Sequence, residues 1–323
     1  MGIRILSLPL AKSACFRLLN TRFGLPYHVI LETTTKCNLK CRTCMRSKQK
    51  SDIFNSDMSF GLYESIIDDL KYPTRFVSFV GMGEQLLNPK IFRMIAIAKE
   101  KGFEVSLTDN FTLINKEVAV TLIKSQIDYV YASFDSVSKN KFEEIRFGAN
   151  FDDVVKNITR FVELKKKTNS KKPEIFFKSA ISKDNFSEIP ALIRLAEDLC
   201  LDGIDFSKEH SYFQDNVNDS SFYLDPEDLP PSKLSFVLCE MGKNYPCQAL
   251  TGCFVTFNGK VLPCDHVMQL LPRNEFSRFY VGDVKSNNIT EIWRSKKHRR
   301  IRRGLASGDW LPFCKGCPAF HEI

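Results

Sequence analysis

Residues 27–44 read YHVILETTTKCNLKCRTC, and the interpretation of the whole chain starts from this stretch. Residues 27–33 are mostly apolar and predict a buried strand. Cys37, Cys41 and Cys44 follow at once, so three thiols stand within eight residues and can surround one small inorganic core. Structural zinc takes four protein ligands, so a zinc site would need to borrow a fourth, from Cys15 or a histidine. A four-iron cluster held by three thiolates would leave one iron open to an outside ligand.

The overall composition excludes several classes of protein. The chain has 323 residues, of which 43% are hydrophobic and 26% charged, so it can bury a sizeable core in one large domain or two modest ones. The net charge of +8 is mildly basic and does not by itself indicate a nucleic-acid-binding protein. No stretch approaches about 18 uninterrupted apolar residues, which argues against a membrane-spanning helix.

Cysteine is the unusual component. There are eleven cysteines, an odd number, and no clear secretory signal precedes them. This argues against a disulfide framework and favours metal-ligating thiolates in a reducing compartment. We therefore expect a cytoplasmic protein.

Downstream of the first strand, short apolar runs alternate with helical patterns. Further strands are predicted at residues 75–80, 103–107, 129–134, 174–181 and 203–206. The helices between them are predicted at residues 61–70, 91–101, 117–125, 154–166 and 189–199. About six β–α units predict a parallel sheet with the helices outside, and six are too few for a closed eight-fold barrel. The predicted fold class is therefore α/β, a partial (β/α)6 barrel.

Four regions are predicted from these patterns. Residues 1–26 form a basic segment that either packs on the barrel or makes peripheral membrane contact. Residues 27–206 form the barrel, and residues 207–245, which are polar and proline-containing, form a linker or lid. Residues 246–323 form a small domain with a hairpin at Asn258-Gly259 and a helix at residues 290–305.

The pattern Cys-x3-Cys-x2-Cys directly after the first strand of a βα series resembles the radical S-adenosylmethionine (SAM) superfamily. The resemblance implies a [4Fe–4S] cluster on Cys37, Cys41 and Cys44, with SAM on the open iron. In that family one electron cleaves SAM to methionine and a 5′-deoxyadenosyl radical, which removes hydrogen from the substrate. The cofactor carries this chemistry, and the protein positions it and excludes water.

The same resemblance implies SAM-binding residues near the carboxyl ends of the strands. Residues 81–84, Gly-Met-Gly-Glu, are similar to the glycine-rich segment of the family, although Gln85 replaces its usual proline. Phe111 likewise stands where relatives have a glycine after the ribose-binding asparagine. The candidates are Gly81, Gly83 and Glu84 for the SAM ammonium, Asn110 for the ribose, and Ser133 and Arg146 for the carboxylate. No catalytic acid or base can be assigned.

A second group of cysteines follows the predicted hairpin. Cys247, Cys264, Cys314 and Cys317, with the hairpin and residues 282–284 between them, resemble the SPASM/Twitch accessory domain of radical SAM enzymes. The resemblance implies one auxiliary [4Fe–4S] cluster, and a zinc ribbon is the alternative. Cys253 competes with Cys247 for the first ligand position. The remaining three cysteines are predicted to be small buried side chains: Cys15, Cys200 and Cys239.

These features together predict a radical SAM oxidoreductase with two [4Fe–4S] clusters, acting on a small sugar-like or polar metabolite. The alternative is a radical SAM peptide or protein maturase. Two other classes are a non-catalytic iron–sulfur electron carrier and a zinc-ribbon nucleic-acid binder. A flavodoxin or ferredoxin-type electron donor is expected. The basic run at residues 296–303 is a solvated helix face, the docking site of that donor, or a contact with nucleic acid or anionic lipid. No nucleic-acid partner is expected, since no aromatic residues are interleaved with that run.

Overall fold

The computed structural model describes residues 24–48, 55–208, 224, 229–238, 247–312, 314 and 317. The predicted basic segment at residues 1–26 lies almost entirely outside this range, as do Cys15 and Cys239. The strands are β1 (His28–Leu31), β2 (Phe76–Phe79), β3 (Glu104–Asp109), β4 (Tyr129–Ser133), β5 (Glu174–Ile181), β6 (Gly203–Lys208), β7 (Ser235–Leu238), β8 (Gly252–Val255), β9 (Lys260–Leu262) and β10 (Gly282–Asp283).

The α-helices in the described part are α1 (Met45–Lys48), α2 (Phe60–Asp69), α3 (Ile91–Glu100), α4 (Lys116–Lys124), α5 (Lys139–Ile145), α6 (Phe151–Lys167), α7 (Ile189–Asp198), α8 (His266–Leu270), α9 (Ile289–Arg294) and α10 (Lys296–Ala306). Short 3-10 helices lie at Gln85–Leu87, Phe186–Glu188, Gln248–Leu250 and Arg273–Arg278. None of the helices that the structure describes is long and apolar enough to cross a bilayer.

All ten strands belong to one sheet, in the order β10-β9-β8-β1-β2-β3-β4-β5-β6-β7. Strands β1 to β7 are parallel neighbours in chain order. Strand β8 pairs in parallel with the other side of β1, and β9 and β10 follow in antiparallel pairing. The predicted α/β partial barrel is confirmed, and the Asn-Gly hairpin joins the small domain directly to β1 of the barrel.

Two elements differ from the sequence prediction. The expected linker at residues 207–245 contains β7, which extends the parallel sheet beyond β6. Its four residues, Ser-Phe-Val-Leu, form too short a run to be distinguished from irregular chain. The single helix predicted at residues 290–305 is two helices, because Ser295 has ψ 152° and cannot continue α9. The Ser295 side chain instead accepts a hydrogen bond from His298 N and begins α10.

The helices cover the outer face of the sheet because of their apolar spacing. In α6, Val154, Ile158, Phe161 and Val162 recur at helical intervals and are buried. The Asn150 side chain caps the first turn by accepting a hydrogen bond from Asp153 N. The last turn holds three lysines, whose positive charges interact favourably with the negative end of the helix dipole. The strands bury every second residue against such helices, which forms the main core.

The inner face of the sheet is more polar than the outer face. Paired residues of parallel strands point to the same side, so Ser133, Lys178 and Asp205 form one row across β4, β5 and β6. The neighbouring row of Val130, Ile175 and similar side chains lies on the helix-covered side. The barrel interior therefore carries charged and hydroxyl groups at the carboxyl ends of its strands, where parallel folds place their sites.

Candidate metal and cofactor sites

The loop that carries the first three cysteines is held on the end of α5. Lys40 N donates to Phe147 O at 2.9 Å and Arg42 N donates to Ile145 O at 2.8 Å. Cys37, Cys41 and Cys44 are all half-buried and free of disulfides, and each thiol interacts electrostatically with another of the three. Burial raises the pKa of each thiol above its usual value, so a bound cation is needed to hold them as thiolates.

The second group of cysteines lines one cavity. Cys247, Cys264, Cys314 and Cys317 line this cavity together with apolar side chains that include Leu305 and Trp310. Burial, and then the neighbouring Cys264 and Cys317, raises the pKa of Cys247 to about 12. Four thiols around one cavity are the ligand set that a [4Fe–4S] cluster takes. In the described part of the chain, no three Cys, His, Asp or Glu side chains meet closely enough to hold a single metal ion.

The sequence left the choice between Cys247 and Cys253 open, and the fold places these two thiols in different surroundings. Cys253 is 1% exposed on β8 and belongs to the main apolar core, where burial raises its pKa to about 12. Cys247 is the thiol that the fold brings to the other three. The prediction that Cys200 is buried is wrong: it is exposed just after α7, at a turn with φ 55°.

The glycine-rich segment packs its backbone against the chain that leads into the cysteine loop. A Cβ on Gly83 would lie 2.3 Å from Thr34 O and 2.7 Å from Lys36 O. A Cβ on Gly81 would lie 2.6 Å from Glu32 Cγ. Glu84 N also donates to Lys36 O at 2.7 Å. Glycine is therefore required here for close approach of two backbones, in addition to any contact with SAM.

Glu84 is part of a buried pair of carboxyl groups. Its Oε2 accepts from Asn110 N at 2.8 Å, and its Oε1 accepts from Leu86 N at 3.3 Å. Burial, and then the neighbouring Asp109, raises the pKa of Glu84 well above its usual range. Burial also raises the pKa of Asp109, whose Oδ2 receives no donor from the described residues. One proton shared between the two carboxyls would satisfy both groups.

Two further SAM candidates, Asn110 and Ser133, lie at the carboxyl ends of β3 and β4. Asn110 Nδ2 donates to Asn38 Oδ1 at 3.0 Å, which links the third strand to the cysteine loop. Phe111, in the position of the missing glycine, takes the left-handed φ of 61° that the turn requires. Ser133 ends β4, beside Lys178 in the register of the sheet.

Arg146 lies between β4 and the cysteine loop. Its Nη2 pairs with Asp135 Oδ2 at 2.7 Å, and the two side chains are 14% and 4% exposed. Its Nε has no partner among the described residues. Burial by itself would lower the pKa of Arg146, but Asp135 and then the Cys41 thiol outweigh burial and raise this pKa. The guanidinium is thus held close to the cysteine loop with one donor left over.

Sequence reasoning missed a buried ion pair that joins the two halves of the molecule. Arg273 Nη2 lies 3.1 Å from Glu32 Oε2, and the side chains are 6% and 0% exposed. Glu32 also accepts from Met82 N and from Phe257 N, both at 3.3 Å. The signal in the sequence was an acidic residue directly after a fully apolar strand, where burial demands a partner.

A second missed pair lies inside the barrel. Lys178 Nζ is 2.7 Å from Asp205 Oδ2, and Asp205 is only 4% exposed. Its Oδ1 has no hydrogen-bond partner in the described part of the chain. Lys178 also lies 5.8 Å from the centre of the Tyr131 ring. Charged residues inside two otherwise apolar strands were the available signal.

Comparison with known proteins agrees with these two sites. A family model described as the radical SAM superfamily matches residues 31–173. A second model, SPASM, described as an iron–sulfur cluster-binding domain, matches residues 241–318. The chain therefore belongs to the radical SAM superfamily and carries a C-terminal SPASM-type domain. SAM and [4Fe–4S] clusters are the cofactors of this class, and the two cysteine groups supply suitable thiols for two clusters.

Among curated relatives, one from Pyrococcus furiosus is 24% identical over 90% of this chain and 86% of its own length. It is described as a tungsten-containing aldehyde ferredoxin oxidoreductase cofactor-modifying protein. An Fe-coproporphyrin III synthase from Methanosarcina barkeri is 30% identical over 53% of this chain, and the match spans only 41% of that relative.

Solved structures show the same fold at low sequence identity. Streptococcus suis SuiB bound to S-adenosylmethionine has a TM-score of 0.67 at 18% identity, covering 86% of this chain and 68% of SuiB. BtrN in complex with AdoMet and 2-DOIA has a TM-score of 0.53 at 16% identity, covering 91% of this chain and 93% of BtrN.

Proposed function

We propose that the chain is a radical SAM oxidoreductase that oxidises a small polar or sugar-like metabolite with the help of an auxiliary [4Fe–4S] cluster. In this proposal Cys37, Cys41 and Cys44 hold the SAM-binding cluster. The auxiliary cluster is held by Cys247, Cys264, Cys314 and Cys317. The regions proposed are those predicted from the sequence, except that residues 207–245 include a strand.

The observation that carries this proposal is the position of the two cysteine groups relative to β1. Cys37 follows the carboxyl end of β1. Strand β8 runs parallel to β1 with Gly252 opposite His28, and β9 returns beside β8, so Cys264 lies near the amino end of β1. His28 interacts electrostatically with Asp265, which agrees with this placement. The two cysteine groups thus lie towards opposite ends of β1.

The protein's part in the first half of the reaction is to hold SAM. When bound, SAM and its cluster supply a radical that abstracts hydrogen. Backbone groups of Gly81 and Gly83 would contact the SAM ammonium, with Glu84 fixing their loop. Asn110 would contact the ribose. Ser133 and the spare donor of Arg146 would bind the carboxylate, with Asp135 keeping the guanidinium in place.

The protein's part in the second half is to bind the substrate and to accept a proton. Oxidation of a hydroxyl-bearing carbon to a carbonyl releases the hydroxyl proton after the C–H bond is broken. Asp205 Oδ1 is a buried acceptor without a partner in the described residues, and it lies in the same sheet row as Ser133. Lys178 Nζ lies 2.7 Å from the other oxygen of the same carboxylate, Oδ2. We assign substrate contact and proton acceptance to this pair.

A peptide or protein maturase is the second candidate function. SuiB was also solved with the precursor peptide SuiA, at a TM-score of 0.67 to this chain, and anSMEcpe was solved with AdoMet and a Cp18Cys peptide, at 0.62. A peptide substrate would use the same interior, because backbone N–H groups can also donate to Asp205. A reducing, cytoplasmic location and a flavodoxin or ferredoxin-type electron donor belong to both candidates.

The decisive experiment is deuterium transfer. Anaerobically reconstituted protein is incubated with SAM, reductant and candidate substrates that are deuterated at their hydroxyl-bearing carbons, and 5′-deoxyadenosine is analysed by mass spectrometry. Deuterium from a polyol or sugar, with a carbonyl product, supports the leading proposal. Deuterium only from a peptide Cα or Cβ supports the maturase. Absence of any SAM cleavage by a protein that holds both clusters would contradict both.

A further inference from the structure

Helix α10 (Lys296–Ala306) carries a row of four basic side chains on its outer surface. Lys296, Arg299, Arg300 and Arg303 follow the three- and four-residue spacing that places side chains on one helix face, and all four are exposed. None of the four forms an ion pair with any residue of the described part of the chain. We call these four side chains the basic face of α10.

The opposite side of the same helix covers the auxiliary cysteine site. His298 and Leu305 are buried there, and Ile301 and Arg302 are half-buried between them. Leu305 lines the cavity of the four cysteines, and Ile301 packs against the apolar cluster that contains Cys314. The basic face and that cavity are therefore separated by the diameter of one helix, about 10 Å.

Like charges are crowded along α10. Arg302 lies 3.8 Å from the centre of the Trp293 ring and donates to Trp293 O at 2.9 Å. Burial, with added repulsion from Arg299 and Arg303, lowers the pKa of Arg302 to about 10, although the Cys253 thiol opposes this change. None of the acidic side chains in the described residues pairs with the basic face of α10. A negatively charged partner would relieve this repulsion.

We propose that the basic face of α10 docks an acidic one-electron carrier protein of the flavodoxin or ferredoxin class, which takes up the electron that leaves through the auxiliary site. The inference rests on the proposed function, in which the substrate gives one hydrogen atom to the radical, one proton to the protein and one electron to the auxiliary site. The carrier is thereby reduced by one electron per turnover. Charge complementarity raises the rate of such encounters and sets their orientation.

A nucleic acid fits this surface less well. Single-stranded binders stack bases on aromatic side chains between their basic residues, and the exposed residues of α10 include none. Binding of nucleic acid would not require the basic face to lie close to the auxiliary cavity. Electron transfer does require this, because its rate depends on a short path between the carrier and that cavity.

The test compares two charge-reversal variants with the same change in net charge. The variant Arg299→Glu with Arg300→Glu alters the basic face. The control, Lys166→Glu with Lys167→Glu, alters two exposed lysines at the end of α6. Binding of an oxidised bacterial flavodoxin to the reconstituted protein is measured by calorimetry at low and high salt. We expect about tenfold weaker binding and a smaller salt dependence for the α10 variant only, because each charge contact that is lost raises the dissociation constant.

A second measurement follows electron transfer. Protein reduced by dithionite is mixed with oxidised flavodoxin, and the flavin absorbance is recorded by stopped flow. The α10 variant should transfer electrons several-fold more slowly than the wild type and the control, while SAM cleavage driven directly by dithionite should be unchanged.

Two results would overturn the docking proposal: equal losses in both variants, or unaltered flavodoxin binding in the α10 variant. Loss of binding only to duplex DNA or to anionic lipid vesicles would also overturn it. If dithionite-driven SAM cleavage is absent in the wild type while the α10 variant alone loses flavodoxin binding, the proposed function is wrong and the docking surface stands.

Discussion

At the scale of single residues, Arg146 and Asp135 form the contact that most directly connects packing with cofactor binding. Both side chains are largely buried and lie 2.7 Å apart, and the guanidinium retains a donor that no described residue uses. A buried charge of this kind is stable only with its partner present. The pair thus has a structural role and a binding role, which substitutions can separate.

We predict that Arg146→Ala weakens SAM binding by about 1.5–3 kcal/mol, the loss of a charged hydrogen bond. It should also lower the free energy of unfolding by about 3–5 kcal/mol, because Asp135 is left buried without a countercharge. Titration calorimetry with SAM and urea unfolding of the reconstituted protein measure the two effects. In the control, Arg146→Gln with Asp135→Asn, stability should recover while SAM affinity stays low. Unaltered affinity in Arg146→Ala would show that the residue serves packing alone.

Cys247 and Cys253 allow a second residue-scale prediction. Wild-type protein reconstituted without oxygen should hold about eight irons, the content of two [4Fe–4S] clusters. Cys247→Ala should lower this towards about four, since it removes one of the thiols around the auxiliary cavity. Cys253→Ala is the matched control, and it should keep all the iron because Cys253 lies in the apolar core of the barrel. Iron and sulfide analysis measures both, and the reverse pattern would assign the ligand to Cys253.

The buried pair of Glu84 and Asp109 predicts a dependence of stability on pH. The folded protein holds a proton on these carboxyls at pH values where the unfolded chain has lost it, because the pKa of Glu84 is raised well above its usual range. The free energy of unfolding therefore falls as pH rises from the unfolded pKa of glutamate, about 4.3, towards the raised value.

Asp109→Asn should make this fall smaller, because it removes the neighbouring carboxyl that contributes to the raised pKa of Glu84. Asparagine can still accept from Phe111 N as Asp109 Oδ1 does. Urea unfolding of wild type and variant between about pH 5 and about pH 8 measures the slope. Equal slopes would mean that the two carboxyls do not share a proton.

At the scale of elements, the segment after β2 is positioned by the approach of two backbones. Gly83 faces Thr34 O and Lys36 O at distances that leave no room for a side chain. Because Lys36 precedes the first cysteine, any displacement here moves both the SAM contacts and the cluster loop.

We predict that Gly83→Ala destabilises the fold by about 2 kcal/mol or more, the range of overpacking that forces a backbone shift. It should also weaken SAM binding. Gly61→Ala in α2 is the matched control, since no atom lies within 4 Å of its Cβ position. That control should be neutral or stabilising by about 0.5–1 kcal/mol, because alanine favours a helix. Thermal unfolding and SAM titration of both variants test this, and equal effects would exclude a tight backbone contact.

At the scale of the whole molecule, one cysteine group follows the carboxyl end of β1, and the sheet register places Cys264 of the other group near its amino end. The Glu32–Arg273 pair joins the barrel to the C-terminal domain. Each site can therefore be removed separately. Reductive cleavage of SAM needs only the site at the carboxyl end of β1, while completion of a substrate oxidation needs somewhere for the substrate electron to go.

We predict that Cys314→Ala with Cys317→Ala abolishes product formation but still allows SAM cleavage under strong chemical reductant. Iron should fall from about eight to about four, because one cluster is lost. The measurements are iron content, 5′-deoxyadenosine yield and product yield. The control variant combines Cys37→Ala, Cys41→Ala and Cys44→Ala, and it should lose SAM cleavage. Full product yield from the Cys314 and Cys317 variant would leave the C-terminal domain with a structural role only.

The βα alternation, the parallel sheet and the two cysteine groups can be predicted from the sequence, because periodicity and close spacing along the chain are local signals. The strand at Ser235–Leu238 was missed, since a run of four residues carries too little periodicity to be distinguished from a loop. The break at Ser295 depends on a single backbone angle and a side-chain cap, which a run of helix-forming residues conceals.

Contacts between groups that are distant along the chain become visible only in the folded structure. It brought Cys247 to Cys264 and placed Cys253 in the core, and it paired Glu32 with Arg273 and Lys178 with Asp205. Spacing along the chain says nothing about contacts between residues tens to hundreds of positions apart. The energetic demand that each buried charge find a partner is visible in a sequence, but the identity of that partner is set only when strands and helices pack.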